Sequence, residues 1–148
     1  MTHGRPVARR ALFGFTALCL AAGGALHALA YGGAERVMQQ SALPDGLHGV
    51  LKALWLSQAG VNISWALAFG VLAARPEWAV GRLVGVLVLG PLASAILLYA
   101  TLGSFFPAHV LLGASLAALA AATIPPRAAP SPAILAGQTP VGGCRRGG

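Results

Sequence analysis

The sequence predicts an all-α polytopic membrane protein, a bundle of four transmembrane helices. Three observations lead there. Apolar residues make up 57% of the 148 and charged residues only 9%, which leaves too little polar surface to cover a water-soluble globule. Leu83 to Pro126 contains no Lys, Arg, Asp or Glu; at ~1.5 Å per helical residue it is roughly twice the length that one helix needs to cross a ~30 Å hydrocarbon layer, so it reads as a hairpin of two spans. Finally, the net charge of +7 comes from basic residues at the ends of apolar runs rather than along one face. That distribution orients a membrane protein, and nucleic acid is not an expected partner.

Residues 1–10 form a cytoplasmic N-terminus with Arg5, Arg9 and Arg10 and no acid. The first span is 11–30, uncharged throughout. A rival reading is a cleaved secretory signal, with Arg9-Arg10 as the basic region and Ala28-Leu29-Ala30 as the cleavage site. The apolar stretch exceeds the usual ~7–15 residues of such a signal, and three further spans follow, so a retained helix is preferred. Residues 32–46 make a polar connection, with an interfacial turn of helix expected around Ala34 to Ser41.

The second span is 47–74, long enough to tilt or to project beyond the membrane at one end. Arg75 to Arg82 is a tight connection, with Trp78 placed to anchor at the interface. In the third span, 83–102, the Gly90-Pro91 step removes a backbone hydrogen bond at mid-depth and predicts a kink. The turn-like Gly103 to Pro107 leads to the fourth span, 106–124, which Pro125-Pro126 ends. Residues 125–148 contain five of the ten prolines and are expected to be a disordered cytoplasmic tail.

Orientation follows from the basic residues. Arg5, Arg9, Arg10, Arg75, Arg82, Arg127, Arg145 and Arg146 fall on one side, and only Arg36 and Lys52 on the other. The positive-inside rule places both termini in the cytoplasm of an inner (plasma) membrane. Lipid gives helices no hydrophobic drive to associate, so small residues must let them approach. Gly81 and Gly85 form GxxxG, Gly113, Ala117 and Ala121 make a stripe on the fourth span, and Gly14, Ala17, Ala21 and Ala25 one on the first. Contacts within the bundle are the preferred role. The partners expected are the bilayer and, through such faces, a second copy or a partner membrane subunit.

With this orientation His27, His48, Lys52 and His109 converge on the outer leaflet, near Tyr31, Tyr99, Glu35 and Asp45. On the second span His48, Lys52, Trp55, Ala59, Asn62 and Ala66 fall within about a quarter turn at ~100° per residue. Asn62 lies deep and needs a partner there, so the stripe should face the bundle. His27, His48, Lys52, Asn62 and His109 are therefore the candidate ligand-binding residues. Each also has a plainer role. Lys52 is close enough to the surface to snorkel, the histidines can be interfacial residues, and Asn62 can be interhelical glue worth roughly 0.6–2 kcal/mol.

Absent motifs limit the chemistry. No span contains an acid to carry protons, and the chain has no CxxC, HExxH, GxSxG, phosphate-binding loop or dinucleotide fingerprint. Cys19 and Cys144 match neither a disulfide framework nor a metal site. No catalytic residue and no metal is predicted, and the chain reads as non-enzymatic. No cofactor is required; the one the histidines allow is haem held by two of His27, His48 and His109. The leading reading is a membrane protein binding a small ligand, lipid or partner subunit in an outer-leaflet polar pocket. A haem or redox protein and a small transporter subunit are the alternatives.

Four spans from Ala11 to Ile124 with short turns resemble, in helix number and length, the small bacterial membrane proteins of the DoxX-like group and neighbouring families. The resemblance implies a membrane bundle and, for DoxX-like proteins, quinone- or thiol-related redox roles. It carries no motif that maps residue by residue, so it assigns no functional residue.

Overall fold

The computed structural model describes residues 4–125. All its elements are helical: α1 (Gly4–Leu29), α2 (Tyr31–Gln39), α3 (Asp45–Ala74), a 3-10 turn (Pro76–Trp78), α4 (Gly81–Leu102) and α5 (Phe106–Thr123). Four helices are long and apolar enough to cross a membrane. The chain is a multi-pass membrane protein with an all-α four-helix bundle.

A helix lies at each expected span, with ends that differ from the expected bounds. The first helix starts seven residues earlier than 11, at Gly4, so most of the supposed N-terminal segment continues the span. Residues 4–10 include no helix breaker except Pro6, which is tolerated in a first turn where its missing N–H costs nothing. The short helix expected around Ala34 to Ser41 is α2, beginning at Tyr31 and ending at Gln39. Ala30 alone separates it from α1, and its backbone is still right-handed helical (φ −69°, ψ −12°). Pro91 does not break α4, which runs on to Leu102. The expected tail at 125–148 lies, apart from Pro125, outside the described residues.

Tertiary order differs from chain order. α1 packs against both α3 and α5, and α5 in turn against α4. Between α1 and α3, Phe13 and Phe69 are fully buried with ring centroids 6.3 Å apart. The closest approach comes at Gly24, where an added Cβ would meet the Ile63 side chain at 3.0 Å and the Ala59 carbonyl oxygen at 3.1 Å. α5 offers Ala114, Ala117, Ala118 and Ala121 as its buried face. Thr16 Oγ1 lies 3.0 Å from both the Leu12 carbonyl oxygen on its own helix and the Ala114 carbonyl oxygen on α5, sharing one proton between them. α3 reaches α4 through Trp65, whose ring lies so close over Gly90 that a Cβ there would fall 1.8 Å from its Cζ2 atom.

Only part of the expected small-residue pattern makes contacts. Ala117 and Ala121 are buried, whereas Gly14, Gly81, Gly85 and Gly113 have nothing within 4 Å of the place a Cβ would occupy. The close approaches are at Gly24 and Gly90.

One end of the bundle is fixed by Arg9. Its side chain is 4% exposed, donates a hydrogen bond to the Ala79 carbonyl oxygen and lies 5.8 Å from the centre of the Phe13 ring. The start of α1 and the α3–α4 connection therefore share one face of the molecule. From that level α4 rises 22 residues, ~33 Å, and α5, with 18 residues, descends ~27 Å. The same rise along α1 and α3 arrives near Tyr31 and Lys52, beyond which α2 and the first turns of α3 project as a two-helix extension.

Candidate functional site

The extension is held by pairing along α2 and α3. Tyr31, Glu35, Met38 and Gln39 recur at helical spacing, so they share one face of α2. His48, Gly49 and Lys52 do the same on α3. These seven residues line a cavity of about 160 Å³. Lys52 Nζ is 3.6 Å from Glu35 Oε1 and 5.4 Å from the centre of the Tyr31 ring. Charge-assisted N–H···O contacts close at ~2.7–2.9 Å, so this ion pair is loose. Both side chains keep solvent access, 54% for Lys52 and 38% for Glu35, and each retains bonding capacity for a third group. His48 Nε2 is buried and has no hydrogen-bond partner among the described residues. Leaving such a nitrogen unmet costs ~1–3 kcal/mol; other atoms of the His48 residue line the cavity, while Nε2 itself is closed to a water-sized group.

The remaining predicted residues occupy other places. His27 stacks on Trp55, with centroids 4.3 Å apart and planes 10° from parallel, and Trp55 Nε1 donates to the His27 carbonyl oxygen at 2.8 Å. His27 sits in the last turn of α1, where carbonyl groups run short of helical partners, so the indole fastens the α1–α2 break to α3. His109, on the first turns of α5, is exposed. The Tyr99 hydroxyl is hydrogen-bonded with its Nδ1, and Ser104 Oγ lies 3.2 Å from Nε2. Both ring nitrogens are thus engaged by hydroxyl groups, each of which can donate or accept. Gly103, with φ +69°, makes the left-handed turn that brings Ser104 back over His109. Asn62 is 7% exposed and receives a 3.3 Å hydrogen bond from Gln58 on its own helix. At ~1.5 Å per residue it lies about 15 Å along α3 from Lys52.

The five candidates therefore divide into a pocket holding His48 and Lys52, a clamp holding His27, a turn holding His109 and a deep polar pair holding Asn62. Among the described residues no three His, Cys, Asp or Glu side chains come together to hold a metal ion. Sequence reasoning grouped Tyr31 and Glu35 with the candidates without selecting them, and it missed Met38, Gln39 and Gly49. The signal was present in the one-face spacing of 31, 35, 38 and 39 opposite 48, 49 and 52. No protein-family model, no curated protein and no solved structure matches the chain.

Proposed function

We propose that the protein is a multi-pass inner-membrane protein with both termini in the cytoplasm, and that it binds a small polar molecule between α2 and the start of α3. The observation that carries this reading is the loose, solvent-accessible Lys52–Glu35 pair, which lines one cavity with Tyr31, Gln39 and His48. A cavity of ~150 Å³ accommodates benzene, so about 160 Å³ suits a group of similar size. It falls well below the ~300–1,000 Å³ of pockets for drug-sized ligands. The haem reading gains no support here, since His27 is stacked on Trp55 and both nitrogens of His109 are engaged.

Gly49 supplies the test. It lines the cavity and has open space where a Cβ would be, so Gly49→Leu should fill the pocket and leave the fold intact. The expected result is that wild-type protein, purified in mild detergent and then denatured, releases a small molecule detectable by mass spectrometry that the variant releases at least 10-fold less of. Equal release, with both proteins eluting as the same folded species, would rule the pocket out.

A further inference from the structure

Resting on that binding reading, we infer that the pocket is selective for a zwitterion that joins a phosphate ester to a primary ammonium, the chemistry of an aminophospholipid headgroup. The argument begins with charge. The lining carries one ammonium, Lys52, and one carboxylate, Glu35, whose charges are opposite and equal. A purely anionic guest would satisfy Lys52 and be repelled by Glu35; a purely cationic one would meet the reverse penalty. Complementary potentials favour a guest carrying both signs a few ångströms apart.

The uncharged lining refines the class. The phosphate oxygens take the Lys52 ammonium, beside the His48 residue that lines the same cavity. The guest's ammonium takes Glu35 and the side-chain oxygen of Gln39. A primary ammonium, with three N–H donors, suits a carboxylate and an amide oxygen better than a quaternary one, which needs several rings around it. Here the lining contains a single ring, Tyr31, and that ring already faces Lys52.

Position supplies the source. Lys52 lies near the level at which α4 ends, ~33 Å from the Arg9–Ala79 contact, which is about one hydrocarbon thickness. Headgroups sit at that level. Met38 adds an apolar flank beside the polar groups, as the glycerol end of a headgroup requires.

Native mass spectrometry of the full-length protein in detergent tests this with defined probes: phosphatidylethanolamine, phosphatidylcholine and phosphatidylglycerol of matched chains, and soluble phosphoethanolamine. Phosphatidylethanolamine is expected to bind at least 10-fold more tightly than either other lipid. Lys52→Gln and Glu35→Gln should each remove at least 10-fold of that preference, while Arg36→Gln, whose side chain bonds the Gly32 carbonyl oxygen instead, keeps it. Soluble phosphoethanolamine binding as tightly as the lipid supports the same headgroup chemistry and makes a free zwitterion the source; much weaker binding makes the lipid the source. Equal binding of phosphatidylglycerol overturns the inference, as does a preference unchanged in both charge-neutralised variants. A released molecule that Gly49→Leu loses but that is no zwitterion also overturns it, while leaving the pocket itself standing.

Discussion

Gly90 shows how one missing methyl group decides a helix contact. The Trp65 ring occupies the space its Cβ would take, at 1.8 Å from Cζ2, and an indole cannot swing aside as a flexible aliphatic tip can. Gly90→Ala should therefore lower stability by ~1–3 kcal/mol, the usual cost of overpacking, read as a lower thermal midpoint in detergent. Trp65→Leu in the same chain should recover most of the loss, because the two sites share one contact. Gly85→Ala is the contrast: nothing lies within 4 Å of its Cβ position, and alanine is favoured over glycine in a helix by ~1 kcal/mol, so that variant should be neutral or slightly more stable. The same thermal melts check both, and a large loss at Gly85 would show that its face is covered by a partner. The GxxxG spacing at 81 and 85 was visible in sequence and leaves open space where each Cβ would be, whereas Gly90, next to Pro91, drew attention only as a kink. Small-residue spacing says where helices are able to approach; a large side chain on the facing helix decides where they do.

Among the elements, α1 bears on the question of processing. It contributes Arg9, Phe13, Thr16 and Leu20 to the buried set and is packed against α3 on one side and α5 on the other. Cleavage after Ala30 would leave Phe69 without its aromatic neighbour and Ala79 without its guanidinium donor, and loss of a Phe side chain from a core alone costs ~3–5 kcal/mol. The mature protein should accordingly retain α1, and intact-mass measurement on protein extracted from membranes checks it: a mass lacking everything up to Ala30 would contradict the packing. Helix number and length were legible because a bilayer sets both through hydropathy. The spatial order α3, α1, α5, α4 was not, since all four helices offer similar apolar faces and only particular pairs, Phe13 with Phe69 and Thr16 with Ala114, select the neighbours. For the same reason the site was half legible. His48 and Lys52 stood out as polar residues near a span's end, while Gln39 and Gly49 acquired meaning only once α2 was laid against α3.

For the whole molecule the decisive question is which ends share a side. Arg9 bonded to Ala79 puts the beginning of α1 and the α3–α4 connection at one face, and α4 then carries the chain to Gly103 at the other, where α2 and the pocket project. Arg75 and Arg82 flank the connection at the first face, each exposed, while Lys52 at the second is paired with Glu35. Arg75 also lies 3.9 Å from Glu77, but Arg9, Arg10, Arg75 and Arg82 at the first face outnumber Arg36 and Lys52 at the second, and in the orientation we propose the first face is the cytoplasmic one. Reporter fusions after residues 40, 77, 104 and 130 check this. Those after 77 and 130 should be active as cytoplasmic reporters, and those after 40 and 104 as external ones. The pattern separates two kinds of error. All four results inverted would turn the molecule over and place the pocket at the cytoplasmic leaflet with its geometry intact. Residues 40 and 77 on the same side would mean that α3 does not cross, and the extension that forms the pocket would then not exist at the membrane surface.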